Sequence, residues 1–590
     1  MTDEQNADRW PLLPVILAAL GLATGVAAHA ILGSGYQPAL SAIRVALLSL
    51  VTVSAILFAF IATRGDLLRS ALVAGGCGII AALILYFNGA TSGWSATEGW
   101  RLFSLALAIG IAAPLFQAGR EGGFRPLNYA AVHDFAWTNV VIWCLSWAFV
   151  GIVMLLSWLL AALFDLIGIE FLGRMLQKDW VWRPLVGLAF GLGVALLREH
   201  VRIVRLLQNV AMLVLGVLAP VLAIGLALFL LALPFTGLQP LWDATKATTP
   251  ILLSCAAGAL LLVNAVIGNG GDDPKRNRVL RWAAMVLAVV MLPLTVIAQI
   301  ATALRINQYG FTPERLWALT FVILATAYAT AYLVSVVRGQ AGWAERVRPA
   351  NLNLAFITCG VALLLATPIL SFNAISTRDQ VARLESGKLS PDKFDWRALA
   401  FHFGEPGRKA LERLKTASNP AIRAKALAAT TAKSSYDVSD GSNAVQAEKL
   451  DKTLRILPAG TPLPVDLREL VAAGYQCRRE PCTLAFLDAG KTAILLTNAC
   501  FAPPKPAPTP TSSGPVVTTM ATPGCYGNEP DRYVLTDGKW LAAERVRQPD
   551  ITPAERANSA AGLTDGNVEI RPVERRQVFV GGVPVGQPFE

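Results

Sequence analysis

Apolar residues run nearly unbroken through long stretches of the chain as far as Phe372, interrupted by short polar loops, and beyond it the pattern changes to shorter amphipathic and alternating runs. A helix needs roughly 20 mostly apolar residues to cross a hydrocarbon core of about 30 Å, because every backbone N–H and C=O must find its partner within the segment. Eleven stretches meet that test: Pro11–Leu32, Val45–Ala62, Leu68–Tyr86, Leu102–Gln117, Trp137–Leu160, Val181–Leu197, Asn209–Phe235, Thr249–Gly268, Trp282–Leu304, Leu316–Val336 and Leu352–Phe372. They predict an all-α polytopic membrane bundle over residues 1–372. The first stretch ends in Ala28-His29-Ala30, which resembles a small-residue cleavage site. Asp3, Glu4 and Asp8 nevertheless outnumber Arg9 before it and the run is long enough to span, so an uncleaved helix is expected.

After Phe372 the periodicity predicts an amphipathic helical juxtamembrane segment over 373–433: Val381-Ala382-Arg383-Leu384 follows Ser376-Thr377, Ser390-Pro391 opens a segment through Leu399, and Ala410-Leu411 with Leu414 keeps the 3.6-residue spacing. Past the Ser-rich stretch Ser434–Ser442, short β-like runs appear at Thr483–Leu487, Ala493–Thr497, Tyr533–Thr536, Lys539–Leu541 and Val578–Val580. Asp488-Ala489-Gly490 and Asp537-Gly538 separate pairs of them as hairpin turns do. Residues 434–590 therefore read as a small β-rich domain, making the soluble C-terminal part α+β. The stretch Pro503–Pro515 reads as an extended loop.

Charge follows the same division. Charged residues make up roughly 10% of the chain before the boundary and roughly 24% after it, the contrast between a bilayer solvent and a watery one. The net charge of +11 is spread over both parts, so neither offers the concentrated basic surface that nucleic acid requires, and no nucleic-acid partner is expected. Loop cations fix orientation instead. The N-terminus and the loops around Arg64–Arg69, Arg120–Arg125, Arg198–Arg205, Lys275–Arg281 and Arg338–Arg348 hold about 15 Lys and Arg against about 7 in the alternate loops, which predicts that the first set is cytoplasmic. An odd number of spans then exports the tail, leaving the N-terminus cytoplasmic and the C-terminal domain outside the cytoplasm.

Cysteines are placed in keeping with that topology. Cys77, Cys144, Cys255 and Cys359 lie within spans, where a lone Cys is a small apolar filler. Cys477, Cys482, Cys500 and Cys525 all lie in the tail, an even group of the kind an oxidising compartment favours. Of the three pairings they allow, Cys477–Cys482 with Cys500–Cys525 is expected, each joining nearest neighbours in sequence. A zinc site competes with this, but the tail has no C-x-x-C and its one His, His402, is distant; no metal or cofactor is expected.

Three stretches together resemble a bacterial inner-membrane family called domain of unknown function 4153: Tyr129 to Glu199, with YAAVHDFAWTNVVI and FGLGVALLRE; Arg305 to Leu316, RINQYGFTPERL; and Asp379 to Leu414. The resemblance reaches about Leu414 and weakens beyond it. It implies a membrane fold and location and brings no assigned activity.

Soluble-enzyme signatures are missing: no G-x-S-x-G elbow, no Walker loop, no H-E-x-x-H. Gly21-x-x-x-Gly25 and Gly187-x-x-x-Gly191 are small-residue faces of the kind that let helices approach closely. In RINQYGFTPERL, Tyr309-Gly310 ends one helix, Thr312 caps the next, Pro313 suits its first turn and Glu314 faces the positive end of the dipole. Arg305 and Arg315, with Tyr309, flank this turn as an anion-binding candidate, with a lipid phosphate as the ligand and pairing with Glu314 as the structural alternative. Asp165 and Glu170 sit in the apolar stretch Leu159–Leu172, either as intramembrane acids or in a segment lying flat at the interface with Arg174, Lys178 and Arg183 nearby. Asn264 and Gln299 are expected to hydrogen-bond between helices. Two functions fit: an envelope component whose tail binds or senses a periplasmic partner, the preferred reading, or a transporter or flippase for a small or lipid-linked anionic solute. An enzymatic role has no residues to support it.

Overall fold

The computed structural model describes residues 10, 12–35, 39–95, 97–239, 248–270, 277–432, 454–473, 481–487, 490–497 and 531–543, isolated positions between 434 and 565, and the backbone of 576–580 and 583–589. The chain divides into two compact units, one of residues 1–385 with 399–413 and one of 386–398 with 414–590.

The first unit holds α1 (Leu13–Leu32), α2 (Ala42–Ile61), α3 (Leu67–Phe87), α4 (Glu98–Gly122), α5 (Tyr129–Asp165), α6 (Phe171–Leu176), α7 (Asp179–Glu199), α8 (Val201–Thr236), α9 (Thr248–Ile267), α10 (Arg278–Tyr309), α11 (Pro313–Gly339), α12 (Trp343–Ala366) and α13 (Phe372–Glu385). All but α6 and α13 are long and apolar enough to cross a membrane, eleven among the described residues, and the chain is an integral membrane protein. The eleventh span differs from the sequence expectation of Leu352–Phe372. It begins at Trp343 and stops at Ala366, and Phe372 opens a separate helix. Hydropathy runs on through Leu370 and Phe372, but Pro368 disfavours helix at the residue before it.

Glycine sets the tightest packing. Gly21 and Gly25 of α1 lie against Gly187, Gly191 and Pro184 of α7, so close that a Cβ on Gly187 would stand 2.2 Å from the Gly21 carbonyl oxygen. The two small-residue faces read from the sequence therefore meet each other. A second core joins α8 to α12 around fully buried Leu287, Met291, Leu294 and Tyr332. The outer face of α8 presents Leu213, Val217, Ile224, Leu228 and Phe235, as a lipid-facing helix does.

In the second unit, a five-stranded sheet has the order β1 (Leu454–Leu457), β2 (Cys482–Leu487), β3 (Thr492–Thr497), β4 (Asp531–Thr536), β5 (Lys539–Ala542), with β1 parallel to β2 and the rest antiparallel. The hairpin β4–β5 turns at Asp537 and Gly538, both with positive φ (51° and 76°), as the turns that match strand twist require. Its core of Leu467, Val471, Leu484, Leu495, Tyr533 and Trp540 packs a helix, α16 (Val465–Ala473), on the sheet, and the backbone N–H of Trp540 donates to Asp466 at 3.0 Å. Helix α14 (Gly404–Leu414) belongs up to Arg413 to the first unit, and α15 (Pro420–Thr431) to the second. A separate hairpin joins β6 (Arg576–Val580) to β7 (Val583–Phe589). Cys477 and Cys482 are joined as a disulfide with Cα atoms 5.6 Å apart, while Cys500 and Cys525 lie outside the described residues. The four cysteines within spans are free.

Candidate functional site

The last four carbonyls of a helix lack intrahelical partners and carry the negative end of its dipole. In a bilayer they must be satisfied by the protein. At the end of α2 that task falls to two helices. Arg198 of α7 donates to Ala59 O and Ala62 O; Arg120 of α4 donates to Ile61 O at 2.7 Å, and Gln117 to Phe60 O at 3.1 Å. Four successive carbonyls are thus capped in trans. Arg183 of α7 does the same for Gly33 O beyond α1 at 2.8 Å while held by Asp179 at 3.3 Å, Arg348 of α12 for Ile267 O of α9 at 3.1 Å, and Asn88 for Ala366 O of α12 at 3.3 Å. Cations that the sequence presents as topology markers are therefore also helix caps.

The α10–α11 turn is built as its sequence indicates. Gly310 takes φ 78°, and Thr312 Oγ1 accepts from the Arg315 backbone N–H at 3.4 Å. Arg315 donates to Gly310 O at 2.8 Å and lies over the Tyr309 ring at 5.3 Å, so these two candidate residues do come together. Arg305 is half-buried, within electrostatic range of Arg315, and has no ion pair among the described residues; Glu314 pairs with neither arginine there. What sequence reasoning missed is that the predicted helix after the last span, α13, grips this turn. Asp379 Oδ2 accepts from the Phe311 N–H at 2.8 Å, Gln380 Nε2 donates to Tyr309 O and Phe311 O, both at 2.9 Å, and Arg383 donates to Asn307 O at 3.0 Å. The available signal was the polar content of this helix's inward stripe, Asn373, Ser376, Thr377 and Gln380 at helical spacing.

Deeper in the bundle a closed ring of side chains joins three spans. Asn264 Nδ2 of α9 donates to Tyr332 Oη at 2.8 Å, Tyr332 Oη of α11 to Asn351 Oδ1 at 2.7 Å, and Asn351 Nδ2 of α12 back to Asn264 Oδ1 at 2.7 Å. Tyr129, the first residue of α5, is a further polar neighbour of Asn351. One turn on, His133 packs between Tyr129 and Trp137 at 5.8 and 6.4 Å, and Asp134 accepts from Asn269 at 3.1 Å. Asn264 thus bonds across helices as expected, whereas Gln299 is exposed and bonds no described residue.

Asp165 and Glu170 are exposed at the end of α5 and before α6, and Glu170 reaches Arg174 at 3.9 Å. Helix α5 has 37 residues, about 55 Å of rise, far more than the hydrocarbon thickness of about 30 Å. No group of three or more His, Cys, Asp or Glu suited to a metal occurs among the described residues. Across known proteins, a family model described as a domain of unknown function (DUF4153) matches residues 39–414. No curated protein and no solved structure matches.

Proposed function

The chain belongs to the family described as a domain of unknown function (DUF4153), and on that footing we propose that it is a non-enzymatic component of the bacterial inner membrane whose periplasmic C-terminal domain binds or senses a partner. The membrane bundle is its scaffold. One observation carries this reading: Asn264, Tyr332 and Asn351, polar side chains inside three spans, close a hydrogen-bonded ring on one another, and Arg198, Arg120 and Arg348 bond to helix ends. The sheet domain, with its own core and the Cys477–Cys482 bond, supplies a separate recognition module outside the family match. The excess of Lys and Arg in one set of loops supports a cytoplasmic N-terminus.

The test has two arms. Alkaline phosphatase fused after Phe372 is expected to be active, and peptide mapping of native membranes to recover Cys477 joined to Cys482 and Cys500 to Cys525. An inactive fusion or four free thiols overturns the orientation. A chain truncated after Thr431 is expected to insert at normal level yet fail to restore a deletion strain; full restoration would remove the tail from the function.

The second reading, transport or flipping of a small or lipid-linked anionic solute, keeps one favourable observation. Arg305 has no ion pair among the described residues and lies within electrostatic range of Arg315, two cations of the kind a phosphate would take. Asp165 and Glu170 would then guide the solute at the interface.

A further inference from the structure

Helix α13 is anchored near both ends by polar contacts and left unsatisfied between them. Its buried stripe is Phe372, Asn373, Ser376, Thr377, Gln380, Val381 and Leu384. Near the start, Asn373 Nδ2 donates to Ser95 Oγ at 3.0 Å and Asn373 Oδ1 accepts from Thr97 Oγ1 at 3.4 Å, with Ser95 and Thr97 hydroxyls 3.0 Å apart. Near the finish, Asp379, Gln380 and Arg383 grip the backbone of the α10–α11 turn from Asn307 to Phe311. The contact is close enough to dictate the residue opposite. A Cβ at Gly310 would stand 2.5 Å from Asp379 Oδ2 and 2.7 Å from both Gln380 Nε2 and Arg383 Nε.

Between the two anchors, Ser376 Oγ and Thr377 Oγ1 are buried with no hydrogen-bond partner among the described residues. A buried hydroxyl without a partner penalises the arrangement that buries it, because water would satisfy it on exposure. The grip itself consists of hydrogen bonds to backbone carbonyls and one N–H, which water can replace, and only Val381, Leu384 and Phe372 supply apolar burial along the helix. Attraction at the ends therefore works against a penalty in the middle, an arrangement that favours two states over one deep minimum.

We propose that α13 is a releasable clamp on the α10–α11 turn: docked in this structure, and in a second state lifted away, with Ser376 and Thr377 hydrated and the turn carbonyls exposed. Because α13 continues from the last span into the chain that leads to the sheet domain, it puts two spans under the influence of that chain. The link to partner sensing rests on the function proposed above; the clamp does not.

The experiment is hydrogen exchange of the purified full-length protein in nanodiscs, followed by mass spectrometry of peptides covering 305–316 and 372–385. Replacing the unpartnered hydroxyls, Ser376→Ala with Thr377→Val, removes the penalty of docking and is expected to slow exchange of both peptides at least threefold together. Asp379→Ala, which removes the acceptor of the Phe311 N–H, is expected to speed both about tenfold while peptides of α2 and α4 stay unchanged. Gly310→Ala should do the same, but it also strains a positive φ, so the other two variants decide. Exchange in the double variant that is unchanged or faster, or peptides that respond separately to Asp379→Ala, would overturn the clamp. The measurement uses no partner, so its outcome stands apart from the truncation test.

Discussion

The ends of α2 and α10 solve one problem with opposite consequences. At α2, the carbonyls from Ala59 to Ala62, left over at the helix end, are capped by Arg198, Arg120 and Gln117, all carried on other spans of the bundle. At α10, the carbonyls from Asn307 to Phe311 are capped chiefly by Gln380 and Arg383, carried on a helix outside the spans. The first cap cannot be withdrawn without dismantling the bundle, since α7 and α4 are themselves inserted. The second hangs on a single helix with polar groups on its buried face. Where the capping residue resides thus decides whether a helix end is part of the permanent scaffold or conditional on a neighbouring segment.

The largest expected effect comes from breaking the permanent cap. Arg198→Leu leaves the Ala59 and Ala62 carbonyls unpartnered in a buried setting and should lower stability by about 3 kcal/mol, the scale for lost hydrogen bonds to a charged donor. Unfolding of the purified protein in mixed micelles of increasing dodecyl sulfate reads this directly. On the same curve Asp379→Ala, at the conditional cap, should cost about 1.4 kcal/mol, the free-energy equivalent of its tenfold change in exchange. Equal losses at the two sites would erase the distinction between them.

A smaller effect tests whether the ring in the bundle belongs with the permanent features. Tyr332→Phe removes the hydroxyl that joins α11 to α9 and α12, but the direct Asn351-to-Asn264 bond at 2.7 Å can persist. A loss of about 1 kcal/mol is expected, in line with interhelical hydrogen bonds in membranes, with insertion and the truncation phenotype unaltered. A collapse of function at normal stability would instead make the ring a working site and favour a path through the bundle.

The sequence made the spans legible because hydropathy over 20 residues is a strong local signal, and it made the α10–α11 turn legible because Gly310, Thr312 and Pro313 act on their own backbone. Its boundaries slipped where polar residues extend a helix past the apolar run, as at Trp343–Arg348 of α12, whose Glu345, Arg346 and Arg348 read as loop. Strand β1 was not legible either: four residues before Pro458, it exists through parallel pairing with β2, whose partner residues lie 28 positions away at Leu454 and Cys482. The caps were invisible for the same reason in stronger form, since Arg198 and Ala59 are separated by 139 residues and no spacing rule connects them. Charge alone marked these arginines, and charge has several uses.

The smallest effect is expected at Arg305 and Arg315, where the comparison is sharpest for function. Arg315 already donates to Gly310 O and lies over Tyr309, so it behaves as a cap in this structure. A lysine there can keep one hydrogen bond and a positive charge near the ring, and Arg315→Lys should shift unfolding by about 0.5 kcal/mol at most. Arg305→Lys, at a half-buried position with no ion pair among the described residues, should be silent in stability. A phosphate clamp predicts otherwise, because the planar guanidinium forms two parallel bonds that an ammonium cannot copy. The double Lys variant, tested for restoring a deletion strain at matched membrane levels, separates the cases. Wild-type behaviour assigns both arginines to structure, whereas failure at unchanged stability, and only when both are replaced, would make the turn an anion site and move the conditional cap of α10 into the mechanism.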